Sequence, residues 1–133
     1  MGKIVLEASE IYKSYANGTN KLNVLTNFTI KVHQGDIITI IGESGCGKST
    51  ALNIMSTLDQ PDKGKVKIDS LDVSKLNDIN LSKIRNQKIG FVFQSHYLLP
   101  EFTALENAIM PAWIANKEDK KSAVENIFEY LGI

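Results

Sequence analysis

The chain has little of several things, and each shortage narrows what it can be. It contains one cysteine, one tryptophan and three prolines in 133 residues. The lone thiol, Cys46, makes no internal disulfide, which fits a reducing compartment. Arginine occurs once, at Arg85, and the formal net charge is zero. No basic surface therefore argues for nucleic acid, and no acidic tail argues for disorder. Long apolar runs are missing as well. None approaches a membrane span, and the start, Met1-Gly2-Lys3-Ile4-Val5, reads as neither signal peptide nor anchor. His33 and His96 read as turn and loop residues, and no His/Cys/carboxylate cluster points to a structural metal. With 43% hydrophobic residues, what remains is at most one ordinary globular domain.

What is present is a complete phosphate-binding pattern, G-x-x-x-x-G-K-S/T, written here as Gly42-Glu43-Ser44-Gly45-Cys46-Gly47-Lys48-Ser49-Thr50. Gly42, Gly45 and Gly47 let the backbone turn tightly around phosphate oxygens where a Cβ would collide. The backbone N–H groups then point inward at the head of a helix, whose dipole favours anions. Lys48 would reach the β- and γ-phosphates, and Ser49 would place its hydroxyl on Mg²⁺. Thr50 would help hold the α-phosphate, although a threonine at a helix start is also a routine cap. The bland alternative is a glycine-rich turn beside a lysine. Ordinary residue usage makes a chance match on the order of one chain of this size in a few hundred. Context reduces that further: the β-branched run Ile37-Ile38-Thr39-Ile40-Ile41 precedes the loop and a helical pattern follows it. Nucleotide binding is the expectation. Cys46, inside the loop, reads as a tolerated small residue rather than a catalytic thiol.

The first third of the chain reads as β-structure. Ile4 to Tyr12 and Val24 to Val32 are strand-like, with a turn cluster at Ala16-Asn17-Gly18-Thr19-Asn20 between them. His33-Gln34-Gly35-Asp36 turns into the strand that feeds the phosphate loop. Ala51, Ile54, Met55 and Leu58 recur at helical spacing, and Gln60 to Gly64 ends that helix. Lys65 to Asp69 alternates like a short strand, Leu81 to Gln87 reads as a short helix, and Ile89-Gly90-Phe91-Val92-Phe93 reads as a buried strand. Thr103 and Glu106 form a capping box for a helix interrupted at Pro111. Lys117 to Lys121 reads as the solvated start of a last helix, which carries Val124, Ile127, Phe128 and Leu131 on one face and ends at Gly132.

Together with the phosphate loop, three further segments resemble the ATPases of ABC transporters, and the resemblance covers nearly the whole chain. Tyr12-Lys13-Ser14-Tyr15 stands where that family places an aromatic that stacks on adenine. Tyr15 is the platform this implies, with Tyr12 a rival and plain strand packing the other reading. Ile89-Gly90-Phe91-Val92-Phe93-Gln94 is similar to the strand ending in the family's Q-loop glutamine. Gln94 is thereby implied as the link between Mg²⁺, attacking water and a transmembrane partner; without the flanking match it would read as a surface residue. Leu58 to Gly64 resembles the connection after the phosphate-loop helix. Tyr97 to Asn107 is similar to the lipoprotein-releasing, macrolide-exporter and cell-division subgroup.

The resemblance implies an α/β P-loop NTPase fold with an antiparallel β-subdomain, residues 1–133 forming a partial nucleotide-binding domain that stops before the Walker B half. The family's signature loop, Asp-Glu strand and switch histidine have no counterpart here. The nearest lookalike, Val66-Lys67-Ile68-Asp69, comes too early and is followed by Ser70. ATP hydrolysis needs that missing carboxylate and an opposing signature loop, so the expectation is half a nucleotide site, inactive alone and belonging to a longer parent. Implied ligands are ATP and Mg²⁺. Implied partners are a transmembrane permease subunit and a second ATPase copy, with the parent cytoplasmic and peripheral on the inner membrane face. A cell-division-type subunit that signals mechanically is the competing class; a small P-loop kinase is disfavoured because Arg85 alone cannot make a basic lid. The family also implies that roughly Ser95 through Trp113 lines a permease groove; of the apolar residues there, Tyr97, Leu98, Leu99, Phe102, Ile109, Met110 and Trp113, several should simply pack the helical subdomain, and Tyr97, Leu99 and Phe102 are the expected contacts. It further places two additional strands between Ile37–Ile41 and Ile89–Phe93, leaving both segments uncovered in this chain.

Overall fold

Two long antiparallel strands dominate the computed structural model, which describes residues 2–117 and 120–133. β1 (Ile4–Asn17) and β2 (Asn20–His33) form a hairpin, and β3 (Lys63–Ile68) and β4 (Leu71–Asp72) extend it to a four-stranded sheet in the order β2-β1-β3-β4. All neighbours are antiparallel. The helices are α1 (Lys48–Met55), α2 (Asp78–Lys88), α3 (Ala104–Ile114) and α4 (Lys121–Leu131). The chain divides into two units, Met1–Leu81 and Ser82–Ile133.

The first unit holds nearly all the buried apolar side chains. Ala8, Ile11, Leu25, Val66 and Ile68 come from the strands, Ala51, Ile54 and Met55 from α1, and Val73 and Leu81 from the segment after the sheet. Ile11, Ile54 and Val66 are almost wholly buried, and each contributes roughly 1.5–3 kcal/mol by leaving water. The turn at His33 is built as its sequence predicts: Asp36 N–H donates to His33 O at 3.1 Å, and His33 N–H donates to the Asp36 carboxylate at 2.7 Å. α1 is shorter than its periodicity predicts. It stops at Met55 because Thr57 turns into the left-handed region (φ 63°), which leaves Leu58 half exposed.

β1 and β2 are irregular at the middle of their pairing, where register shifts surround Ile11. Glu10 there takes φ 52°, and β3 approaches this bulge through Gly64 at φ 101°. A Cβ on Gly64 would lie 2.4 Å from Glu10 O and 2.6 Å from Ser9 O. Gly64→Ala is therefore expected to combine left-handed strain with a backbone collision, lowering unfolding free energy by about 2–4 kcal/mol. A urea midpoint unchanged from the parent sequence would contradict this packing.

The two segments read as strands beside the phosphate loop and before Gln94 behave differently from that expectation. Neither 37–41 nor 89–93 joins a ladder among the described residues. Ile89–Phe93, read as buried, is largely open: Val92 is fully exposed and Phe93 half exposed. The physical reason is partnership. A strand is held by neighbours on its edges, and neither segment has one among the described residues.

In the second unit α3 opens with the predicted capping box: Glu106 N–H donates to Thr103 Oγ1 at 3.2 Å, and Thr103 N–H donates to Glu106 Oε2 at 2.8 Å. Pro111 does not interrupt the helix, which runs through it to Ile114. The Pro111 carbonyl accepts from Asn86 Nδ2 at 2.8 Å as well as from Ala115 N–H at 3.2 Å. α4 carries the predicted apolar face and ends at Gly132 with φ 74°, yet none of its residues is buried. Within the 117–121 segment, Glu118 and Asp119 lie outside the described residues.

Candidate nucleotide site

Residues 42 to 47 leave the extended 37–41 segment and turn into α1, which begins at Lys48. Gly47 is the N-cap at φ 94°, and no side chain caps the helix. Its first hydrogen bond runs from Ala51 N–H to Gly47 O at 2.9 Å. The N–H groups of Lys48, Ser49 and Thr50 therefore have no carbonyl inside the helix and form its electropositive end.

The loop is a cradle that larger residues would fill. A Cβ on Gly42 would lie 2.7 Å from Cys46 Sγ, and one on Gly47 would lie 3.0 Å from Val24 O and Val24 Cγ1. Lys48 closes the turn from inside: its Nζ donates to Gly42 O at 2.9 Å and Glu43 O at 2.6 Å, and sits 3.7 Å from Cys46 Sγ. Glu43, Ser44, Gly45, Cys46 and Ser49 are exposed, and Lys48 and Thr50 are half-buried. These residues fit a polyphosphate: open backbone donors, a lysine within the loop and a hydroxyl at Ser49.

Tyr15 stands beside this helix and is 40% exposed, so a ring surface remains available for stacking. Its hydroxyl donates to Asp59 Oδ2 at 2.7 Å. That bond raises the phenol above its ordinary value, burial adds to the effect, and a hydrogen bond with Thr50 works against it. The rival Tyr12 is similarly exposed and pairs across from Lys63. The phosphate loop and Tyr15 come together in the first unit. Gln94 belongs to the second, exposed at the bend after Phe93.

Sequence reasoning assigned no role to Lys13 and Asp59, which the structure ties to Tyr15. Lys13 Nζ donates to Asp59 Oδ1 and to Gln60 O, each at 2.7 Å, and lies over the Tyr15 ring 5.1 Å from its centroid. Burial tends to raise the Asp59 carboxyl, but the hydrogen bonds from Lys13, Tyr15 and Gln60 N–H outweigh it and hold it below the usual carboxylate value. The available signal was the i, i+2 spacing of Lys13 and Tyr15, which puts both on one face of β1.

In the second unit, the segment before α3 exposes Tyr97, Leu98, Leu99 and Phe102, and α3 itself exposes Trp113. Ile109 is buried, 4% exposed, in keeping with the packing expected of several in this group, and Met110 is half-buried. Asn107 braces the segment: Leu99 N–H donates to its Oδ1 at 2.8 Å, and its Nδ2 donates to Phe102 O and Thr103 O, both at 3.0 Å. Among the described residues, no helix is long and apolar enough to cross a membrane.

These features define an α/β protein in which a loop bearing the phosphate-binding sequence pattern leads into the first helix. The ABC transporter family model matches residues 25–133, and the chain belongs to that family. It is 45% identical over 131 residues, 97% of its length, to the lipoprotein-releasing system ATP-binding protein LolD of Cytophaga hutchinsonii, and 43% identical over its full length to LolD of Legionella pneumophila strain Paris. It spans 58% and 60% of those two proteins. Among solved structures it is similar to the dimeric bacterial ABC transporter cassette MJ0796, at 41% identity and a TM-score of 0.78, covering 82% of this chain and 47% of that one. A second structure of that cassette, in a post-hydrolysis state with ADP and Pi, matches equally well.

Proposed function

We propose that this sequence is the amino-terminal part of an ABC-type ATPase whose full-length form couples ATP hydrolysis to the release of lipoprotein or another hydrophobic substrate from a membrane. The observation that carries the reading is the phosphate loop, with Lys48 folded inside it and Tyr15 beside its helix. Gly42 to Thr50 would hold the polyphosphate, Lys48 its β- and γ-oxygens, and Tyr15 the adenine. Ser49 would hold Mg²⁺, which supplies charge neutralisation during phosphoryl transfer when bound. Gln94 would report the state of the site to a permease subunit. Two copies of the full-length protein would pair, on the cytoplasmic face of the cell membrane. The lipoprotein-releasing relatives favour this reading over a cell-division subunit that signals mechanically.

Depleting the full-length protein should trap lipid-modified proteins in the membrane that normally releases them, visible by fractionation. Unchanged lipoprotein distribution together with blocked cell separation would favour the mechanical subunit instead.

The permease contact would use Tyr97, Leu99 and Phe102, apolar groups left open by a segment that Asn107 holds in place. Such patches mark partner sites when rimmed by polar groups. Replacing all three with aspartate in the full-length protein should abolish co-purification with the permease while ATP binding persists. Intact assembly would show that the contact lies elsewhere.

A further inference from the structure

The phosphate loop and Tyr15 leave one cluster without a function. Lys13, with its side chain only 11% exposed, is paired at 2.7 Å with Asp59, which also accepts from Tyr15 at 2.7 Å. Burying a lysine this deeply is costly unless it is paired and hydrogen-bonded, and here both Asp59 and Gln60 O accept from it. The lysine does more than satisfy the carboxylate. Its ammonium lies over the Tyr15 ring, 5.1 Å from the centroid, within the range where a cation is attracted to an aromatic face. The ring is therefore held at two places, its edge by Asp59 and one face by Lys13. A tyrosine left to rotate about its side-chain bonds would lose that freedom when a base stacks on it, and the loss would weaken binding.

We propose that Lys13 and Asp59 are positioning residues for the base of the nucleotide: they fix Tyr15 so that only one ring face is offered, and they anchor that platform to the chain leaving α1. The inference rests on the nucleotide-site reading above and deepens it. Asp59 follows the phosphate-loop helix by a few residues and accepts from the Tyr15 hydroxyl. The platform and the loop are thus secured to the same short stretch of chain. Their separation is set by α1 and its exit rather than by β1 alone. The polyphosphate itself has no contact with this cluster in the reading, which gives the proposal a signature. Loss of Lys13 or Asp59 should weaken recognition of the base and spare recognition of the phosphates.

The test uses the full-length polypeptide and two probes, ATP and inorganic tripolyphosphate, titrated calorimetrically with Mg²⁺ present. Lys13→Met should lower ATP affinity about tenfold and leave tripolyphosphate affinity unchanged. Lys13→Arg keeps a cation over the ring and should restore most of the ATP affinity. Asp59→Asn, which retains a hydrogen-bond acceptor but removes the charge, should give an intermediate loss confined to ATP. A thermal unfolding profile for each variant identifies any that fail to fold, and Asp59→Asn stands in if Lys13→Met does. Equal losses for both probes would overturn the proposal, since a merely structural defect spreads to the loop. So would ATP affinity unmoved by Lys13→Met in the folded protein. Failure of the parent sequence to bind either probe would instead overturn the nucleotide-site reading.

Discussion

Lys48→Ala abolishes Mg·ATP binding, the largest single-residue effect expected in this chain. The side chain has two jobs, and alanine removes both. It carries the positive charge that would meet the β- and γ-phosphates. It also braces the turn, donating to Gly42 O and Glu43 O at 2.9 and 2.6 Å across the span the loop must keep open. A hydrogen bond to a charged group contributes about 1.5–3 kcal/mol, and two phosphate contacts with the brace correspond to a loss of roughly a hundredfold or more. Equilibrium dialysis with labelled ATP measures this directly, and an affinity within threefold of the parent would mean that the loop is not the binding site. Turnover separates from binding here. The Asp-Glu strand and signature loop that the chemistry needs have no counterpart in these 133 residues, so the 133-residue chain should bind without hydrolysing. Robust hydrolysis by it, lost in Lys48→Ala, would show that the missing elements are dispensable.

The legible parts of the sequence are those whose structure is decided locally. The phosphate loop needs glycines and a helix start within nine residues, and the capping box needs Thr103 and Glu106 three apart. The hairpin of β1 and β2 is set by a turn cluster between two β-branched runs. What escaped depends on distant partners. Lys13 and Asp59 are 46 residues apart and meet only because β1 packs beside the exit of α1. Pro111 reads as a break because proline lacks an amide donor, yet the helix continues across it and Asn86 bonds its carbonyl. The apolar runs at 37–41 and 89–93 read as buried strands because composition reports a preference for neighbours and says nothing of whether they are there.

That mismatch sets the expected behaviour of the 133-residue chain in isolation: marginal stability, aggregation, or reliance on another copy to cover what is bare. Ile37 and Ile41 are 97% and 85% exposed, and Val92 is fully so, with neither segment paired in a ladder among the described residues. Each such side chain forgoes roughly 1.5–3 kcal/mol that burial would supply. Together they rival the entire stability of a small domain, about 5–15 kcal/mol. Exposed apolar segments with open backbone groups are also templates for pairing between molecules. The antiparallel sheet is different, because its strands pair with one another and its core is closed by α1. Heating should therefore give a broad, early loss of ordered packing while the strand signal in the far ultraviolet outlasts it. Light scattering should rise with concentration well below the temperature at which an ordinary mesophilic domain unfolds. Lysines at Ile37 and Val92 would put charge on both bare segments, and the double substitution I37K/V92K should suppress the scattering without sharpening the transition. A monodisperse monomer with one cooperative transition in the usual mesophilic range, about 45–65 °C, would mean that the two segments are covered from within the chain. The partnerless reading of 37–41 and 89–93 would then be wrong.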